Sequence, residues 1–190
     1  MTISKWEEVL DFWFQPDHIL LHFDENDEFD EEIRSKFFYI WKAGAEGLLV
    51  DWRENIRGRL AEIIVLDQFS RNLWRNDIKT YTQDKMAIAL AQEALMHPNY
   101  NILSDLEKKY ILLPFMHSES LELHDWAYEF FEGIGDEDLL WFEDKHREVL
   151  EEFGRYPYQN KDLNRESTVA ELKALDKRRD GFYKKEDSND

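Results

Sequence analysis

Apolar residues recur along this chain at three- and four-residue steps, the spacing that lines one face of a helix, and no segment makes a convincing strand. Trp6, Val9, Leu10, Trp13 and Phe14 open the series behind Ser4-Lys5-Trp6-Glu7, which fits a capping box. That first helix should stop before Pro16. An acidic loop from Asp24 to Asp30 leads into a second helix through Ile33, Phe37, Ile40 and Trp41, ending near Gly44 or Gly47. A third helix runs from about Asn55 to Trp74. After a turn at Asn76-Asp77, Thr82 is placed to cap a helix rich in Ala and Leu that stops at His97-Pro98. Ser104-Asp105-Leu106-Glu107 is a second capping box, and Pro114 should kink or break the helix it opens. The pattern resumes through Phe131 to Gly133 and Gly135. Asp136 to Phe153 forms the next helix, with Gly154 where a left-handed C-cap belongs. Arg155 to Glu166 reads as an ordered loop, because it holds Tyr156, Pro157 and Tyr158 rather than linker residues. Ser167 or Thr168 then caps a last short helix.

Seven or eight helices with short connections predict an all-α fold of stacked antiparallel helical hairpins. No clean fixed-period repeat is evident. A chain of 190 residues can bury a sizeable core as a single α-helical domain, here over residues 1–180, with an acidic, disordered tail at 181–190. Seven Trp, eight Tyr and thirteen Phe supply large apolar side chains, and only seven Gly and four Pro argue against a sandwich of short strands.

A formal charge of −18 argues against a nucleic acid or an anionic membrane as partner, since both would be repelled. The absence of cysteine excludes disulfides, thiolate chemistry and thiolate metal sites. Glu7, Glu8 and Asp11 interrupt the apolar stretch at the N-terminus, so it is no signal peptide, and no run reaches the length of a transmembrane helix. The chain reads as a cytoplasmic protein.

Against this background three polar clusters stand out: Asp67-Gln68-Phe69-Ser70-Arg71-Asn72, His117-Ser118-Glu119, and His146 followed by Phe153-Gly154-Arg155-Tyr156-Pro157. On the third helix Asp67 and Arg71 fall within the apolar arc of Leu60, Ile63, Ile64 and Trp74, four residues apart and able to pair. They are either a buried ion pair that fixes helix register or a desolvated carboxylate and guanidinium lining a pocket. His146 shares its arc with Leu139, Phe142, Val149, Leu150 and Phe153, so its imidazole points inward, as a satisfied core residue or as a proton acceptor. Ser118 has no glycine-flanked nucleophile elbow. No His-Glu-x-x-His pattern is present, and a metal site would have to combine His117, Glu119 and His146 from distant segments, so none is assigned. Arg155, Asn160 and Arg165 cluster with Ser167 and Thr168, either as an anion site or as caps paired with the surplus of carboxylates.

Together Leu66 to Asn72, Leu113-Pro114-Phe115-Met116-His117-Ser118-Glu119, His146 with Phe153 to Pro157, and Arg165-Glu166-Ser167-Thr168 resemble one family, the mainly bacterial domain of unknown function 924. Val9 to Phe14 and Arg57-Gly58-Arg59-Leu60 also match, and the resemblance spans roughly Val9 to Leu175. It implies a tetratricopeptide-like right-handed superhelix and no established activity. Ser70 stands where the family usually has Pro and Asn164 where it often has Gly. Losing that Pro should let the third helix continue past Phe69.

Two functions follow. In the first, an internal pocket binds a small anionic ligand: His146 or Glu119 handles protons, with His117 and Asp67 as further catalytic candidates. Arg71 and Arg155 hold the anion, and Gln68, Asn72, Ser118, Asn160 and Arg165 complete the ligand contacts. In the second, a superhelical groove binds a peptide and the same clusters brace the fold. The sequence assigns no cofactor, and it leaves the oligomeric state open.

Overall fold

Helix α4, Ile56–Leu73, is the axis of the first half of the chain, and its burial explains most of what surrounds it. Of its 18 residues only Arg57, Arg59 and Arg71 reach solvent. Helices α1 (Trp6–Trp13), α3 (Asp27–Ala45) and α5 (Asp84–Leu95) pack against it. The computed structural model describes residues 5–177; Ser4 and the tail 181–190 lie outside them. Among the described residues there are nine α-helices, four 3-10 helices and no strand. One more helix than expected forms because Pro16–Ile19, α2, is a single turn too short to show a period.

Contacts divide the chain into two compact units, up to Pro114 and from Phe115 onward. In the first unit the core is aromatic: Trp13 is fully buried, stacks on His22 at 3.7 Å, and meets Phe69 and Tyr110 edge-on. Asn55 caps α4 by accepting from the Arg57 N–H at 2.9 Å, and the helix runs past Phe69 to Leu73, as the absence of a proline at Ser70 allows. Ser70 uses its hydroxyl instead, accepting from Trp41 Nε1 at 2.8 Å. Helix α3 begins inside the acidic run rather than after it, because Asn26 caps it by accepting from the Phe29 N–H. Gln83, not Thr82, occupies the N-cap of α5.

Gly58 marks the closest approach in this unit: a Cβ there would lie 2.1 Å from the Trp52 carbonyl oxygen. That oxygen belongs to the 3-10 turn Val50–Glu54 and cannot swing aside like a side chain. Gly58→Ala is expected to cost about 1–3 kcal/mol of overpacking, against a helix-propensity gain of about 1 kcal/mol. A urea midpoint at or above that of the parent would refute the steric reading.

Helix α6, Asp105–Met116, opens with the expected capping box: the Glu107 N–H donates to Ser104 Oγ, and the Ser104 N–H donates to Glu107 Oε2. Pro114 does not end it. The helix tolerates the missing N–H for two further residues, and the break comes at His117.

In the second unit α7 (Leu121–Ile134) and α8 (Glu137–Phe153) form a hairpin. Gly135 ends α7 at φ 75°, and Asp136 immediately caps α8 through the N–H groups of Asp138 and Leu139. Gly154 ends α8 at φ 69°. Val149, Leu150 and Tyr156 form the buried core, with Leu121 and Phe153 packed on it. The loop 155–168 contains a 3-10 turn at Pro157–Gln159 and ends in α9, Val169–Lys177.

Candidate functional site

In the first unit the predicted residues gather on the last turns of α4. Asp67 is fully buried and pairs with Arg71 at 3.1 Å, as the four-residue spacing predicts. Arg71 also donates to the Asp67 carbonyl at 2.9 Å and to both carboxylate oxygens of Asp84, at 3.0 and 3.3 Å. Gln68 donates to Asp67 Oδ2, and Asn72 donates to Asp30 Oδ1 at 2.7 Å, where Arg75 also binds. Any ligand anion at Arg71 therefore competes with two carboxylates of the chain itself.

In the second unit the candidates surround the break between α6 and α7. Ser118 is buried and accepts from the Ser120 N–H at 3.1 Å, while its carbonyl lies 2.9 Å from His124 Nε2. A carbonyl only accepts, so Nε2 of His124 carries a hydrogen. The other ring nitrogen, Nδ1, sits 2.6 Å from Glu143 Oε1. Both residues are fully buried, and Glu143 Oε2 has no hydrogen-bond partner among the described residues. The Tyr156 hydroxyl donates to the Met116 carbonyl at 2.8 Å and lies 3.3 Å from His124 Nε2. Burial pushes this phenol up, so it stays protonated.

His146 stands edge-on to Tyr156, with 5.6 Å between ring centres. Its Nδ1 lies 2.7 Å from the Phe142 carbonyl on the preceding turn of α8 and must donate, which makes Nε2 the unprotonated nitrogen. Burial holds the His146 pKa down to about 3 despite that hydrogen bond, and the positive potential of His117 and His124 adds to the effect. His117, half-buried, completes a set of three histidines.

Both loop arginines are bound to carboxylates of the same unit. Arg165 grips Glu119 through Nη1 and Nη2 at 2.7 and 2.9 Å, and Glu119 Oε1 also accepts from the Tyr156 N–H at 2.7 Å. Arg155 grips Glu171 through Nε and Nη2 at 2.6 and 2.9 Å and donates to the Glu166 carbonyl. Asn160 is buried and donates to Ser167 Oγ at 3.0 Å. Among the described residues no group of three or more His, Asp or Glu side chains is arranged to hold a metal ion.

Three participants escape a reading of the sequence. His124 shows only as a residue seven after His117. Glu143 lies three before His146, on the same face of α8. Glu171 lies three after Thr168, the spacing of a capping box, and the pair forms one: the Glu171 N–H donates to Thr168 Oγ1 at 3.2 Å and Glu171 Oε2 accepts from the Thr168 N–H at 2.6 Å.

A family model described as bacterial protein of unknown function (DUF924) matches residues 9–179. The solved structure of a protein of unknown function, ATU0120 from Agrobacterium tumefaciens, superposes with a TM-score of 0.84 at 30% identity, covering 90% of this chain and 97% of that one. No curated protein matches the chain. Among the described residues no helix is long and apolar enough to cross a membrane.

Proposed function

The chain belongs to the bacterial family of unknown function DUF924, and from that premise we propose that it is a cytoplasmic protein binding a small acidic ligand at the histidine cluster of its second unit. His146 is the proton-accepting group in this reading and His117 its neighbour at the ligand. The observation that supports it is the set of ionisable groups withdrawn from water within one small unit: His124, Glu143, His146 and Tyr156. A helical hairpin of this size could fill the same volume with apolar side chains at lower cost. Grouped ionisable residues with one strongly displaced titration are the pattern of a site.

The two loop arginines contribute unequally to this reading. Arg165 is a brace on Glu119, and Arg155 keeps only Nη1 for a ligand. A thermal-shift screen of carboxylated and phosphorylated metabolites at pH 7 tests the proposal. A true ligand at 100 times its dissociation constant should stabilise the fold by about 2.7 kcal/mol. The shift should vanish in a folded His146→Asn variant, and a hit that survives both His146→Asn and His117→Asn would overturn the assignment.

The rival is a tetratricopeptide-like interaction module in which these clusters brace the fold. The bidentate Arg155–Glu171 and Arg165–Glu119 pairs favour it, because both guanidiniums spend two donors on the chain itself. It predicts no His146-dependent ligand and a partner protein whose binding survives His146→Asn.

A further inference from the structure

The connection between α1 and α3 is built inside out. Of residues 15–25 only His22 is buried, while its apolar neighbours Leu20 and Phe23 stand 76% and 64% exposed. Burying a histidine in preference to a leucine and a phenylalanine runs against their usual order. Hydrogen bonds hold the segment instead. His18 Nδ1 donates to the Phe12 carbonyl at 2.7 Å, and His22 Nε2 donates to the Trp13 carbonyl at 2.9 Å. Both carbonyls lie at the C-terminal end of α1, where the helix itself supplies no donor. Arg75 adds one bond to the Asp24 carbonyl at 3.2 Å.

His22 sits among aromatic rings. It stacks on Trp13 of α1 at 3.7 Å, stands edge-on to Tyr110 of α6 at 5.4 Å, and meets Phe29 of α3 at 6.2 Å. With its hydrogen on Nε2, the neutral ring accepts from the Tyr110 hydroxyl at Nδ1, so both nitrogens are satisfied. A second ring hydrogen removes that acceptor and places a charge in the seat. Trp13 and Phe29 offer it no counter-charge, the buried Tyr110 phenol stays protonated, and His18 from α2 and Lys109 from α6 both act against it. Burial holds His22 down to about 4, outweighing the Trp13 carbonyl, which favours the cation. Released into water, the same imidazole titrates near 6.5.

We propose that residues 15–25 form an acid-released strap: protonation of His22 withdraws it from its seat on Trp13 and Tyr110, and the segment lifts while α1, α3 and α4 stay folded. Release uncovers the ring faces of Trp13, Phe29 and Tyr110, an aromatic surface closed at neutral pH. The strap lies wholly in the first unit and does not depend on the histidine cluster of the second.

Amide exchange of the full chain, followed by NMR from pH 6.5 to pH 4.5, tests this. The Ile19, Leu21 and Asp24 amides are the probes, since each is hydrogen-bonded within the strap. Their protection factors should fall by about seven-fold from pH 6 to pH 5, the response of one histidine that gains its proton on opening. The Ile64 amide in α4 reports global unfolding and should stay far better protected throughout. His22→Gln should make strap protection independent of pH, and His146→Asn should leave its slope unchanged. His18→Gln, which keeps His22 in place, should also retain the slope. Strap amides that exchange together with Ile64 would overturn the proposal, as would a slope that survives His22→Gln or disappears in His18→Gln.

Discussion

Replacing Arg53 by methionine is expected to cost about 3–5 kcal/mol of folding stability, the penalty of leaving a buried charge without its partner. Arg53 donates Nε and Nη2 to the two oxygens of Glu62, both at 2.7 Å. Glu62 is fully buried in the middle of α4, whereas about a quarter of the Arg53 side chain reaches water. The two partners are therefore unequal. Without Arg53 the carboxylate is left buried, with no route to solvent. Without Glu62 the guanidinium can turn outward, so Glu62→Leu should cost less than Arg53→Met. The double variant Arg53→Met with Glu62→Leu should recover most of the loss, because a buried ion pair is often no more stable than an apolar replacement of similar volume. Urea unfolding of the three variants gives the order directly. An Arg53→Met protein within 1 kcal/mol of the parent at pH 7 would show that Glu62 does not depend on this partner.

Acidification below pH 6.5 should destabilise the protein steeply, well before its carboxylates titrate. His146 is held down to about 3 and His22 to about 4, both chiefly by burial. His22 donates through Nε2 to the Trp13 carbonyl at 2.9 Å and faces the Tyr110 hydroxyl through Nδ1, so it too is neutral when folded. Both residues protonate in the unfolded chain near 6.5. Between there and pH 4 the unfolded state binds about two more protons than the native state. Stability is full above 6.5 and falls with decreasing pH at ~1.4 kcal/mol per unit for each histidine. Lower still, Glu171 adds a loss of the same sign. Its carboxyl is held near 2 by the Arg155 hydrogen bond first and the Thr168 cap second, and that contribution disappears between 4.5 and 2. Urea midpoints from pH 7 to pH 4.5 measure the slope. His146→Asn should remove about half of it, and an unchanged slope in that variant would show that His146 is not neutral in the folded protein.

Local chemistry made much of this architecture legible. The ends of α4 and α8 follow from Asn55, Asp136 and Gly154, residues that act on the backbone within three positions of themselves. The Asp67–Arg71 pair was readable for the same reason, one turn apart on a single helix. Where a feature depends on a distant partner the reading fails. Glu62 sits in the apolar run Ala61 to Leu66, but nothing in the run announces Arg53 from the preceding 3-10 turn. Arg155 and Arg165 read either as an anion site or as partners of carboxylates, and among 42 acidic residues nothing local singles out Glu171 and Glu119 as those partners. Pro114 reads as a kink or a break, and the helix continues two residues beyond it.

Glu171 also decides how the end of the described chain behaves. A helix of nine residues, like α9, is too short to persist alone in water. One carboxylate both starts it, through the Thr168 N–H, and fastens it to the loop through Arg155. Winding and docking are consequently a single cooperative event. The segment is expected to open together with the loop from residue 155 rather than to fray from its tip, and amide exchange there should report one shared opening rather than a gradient.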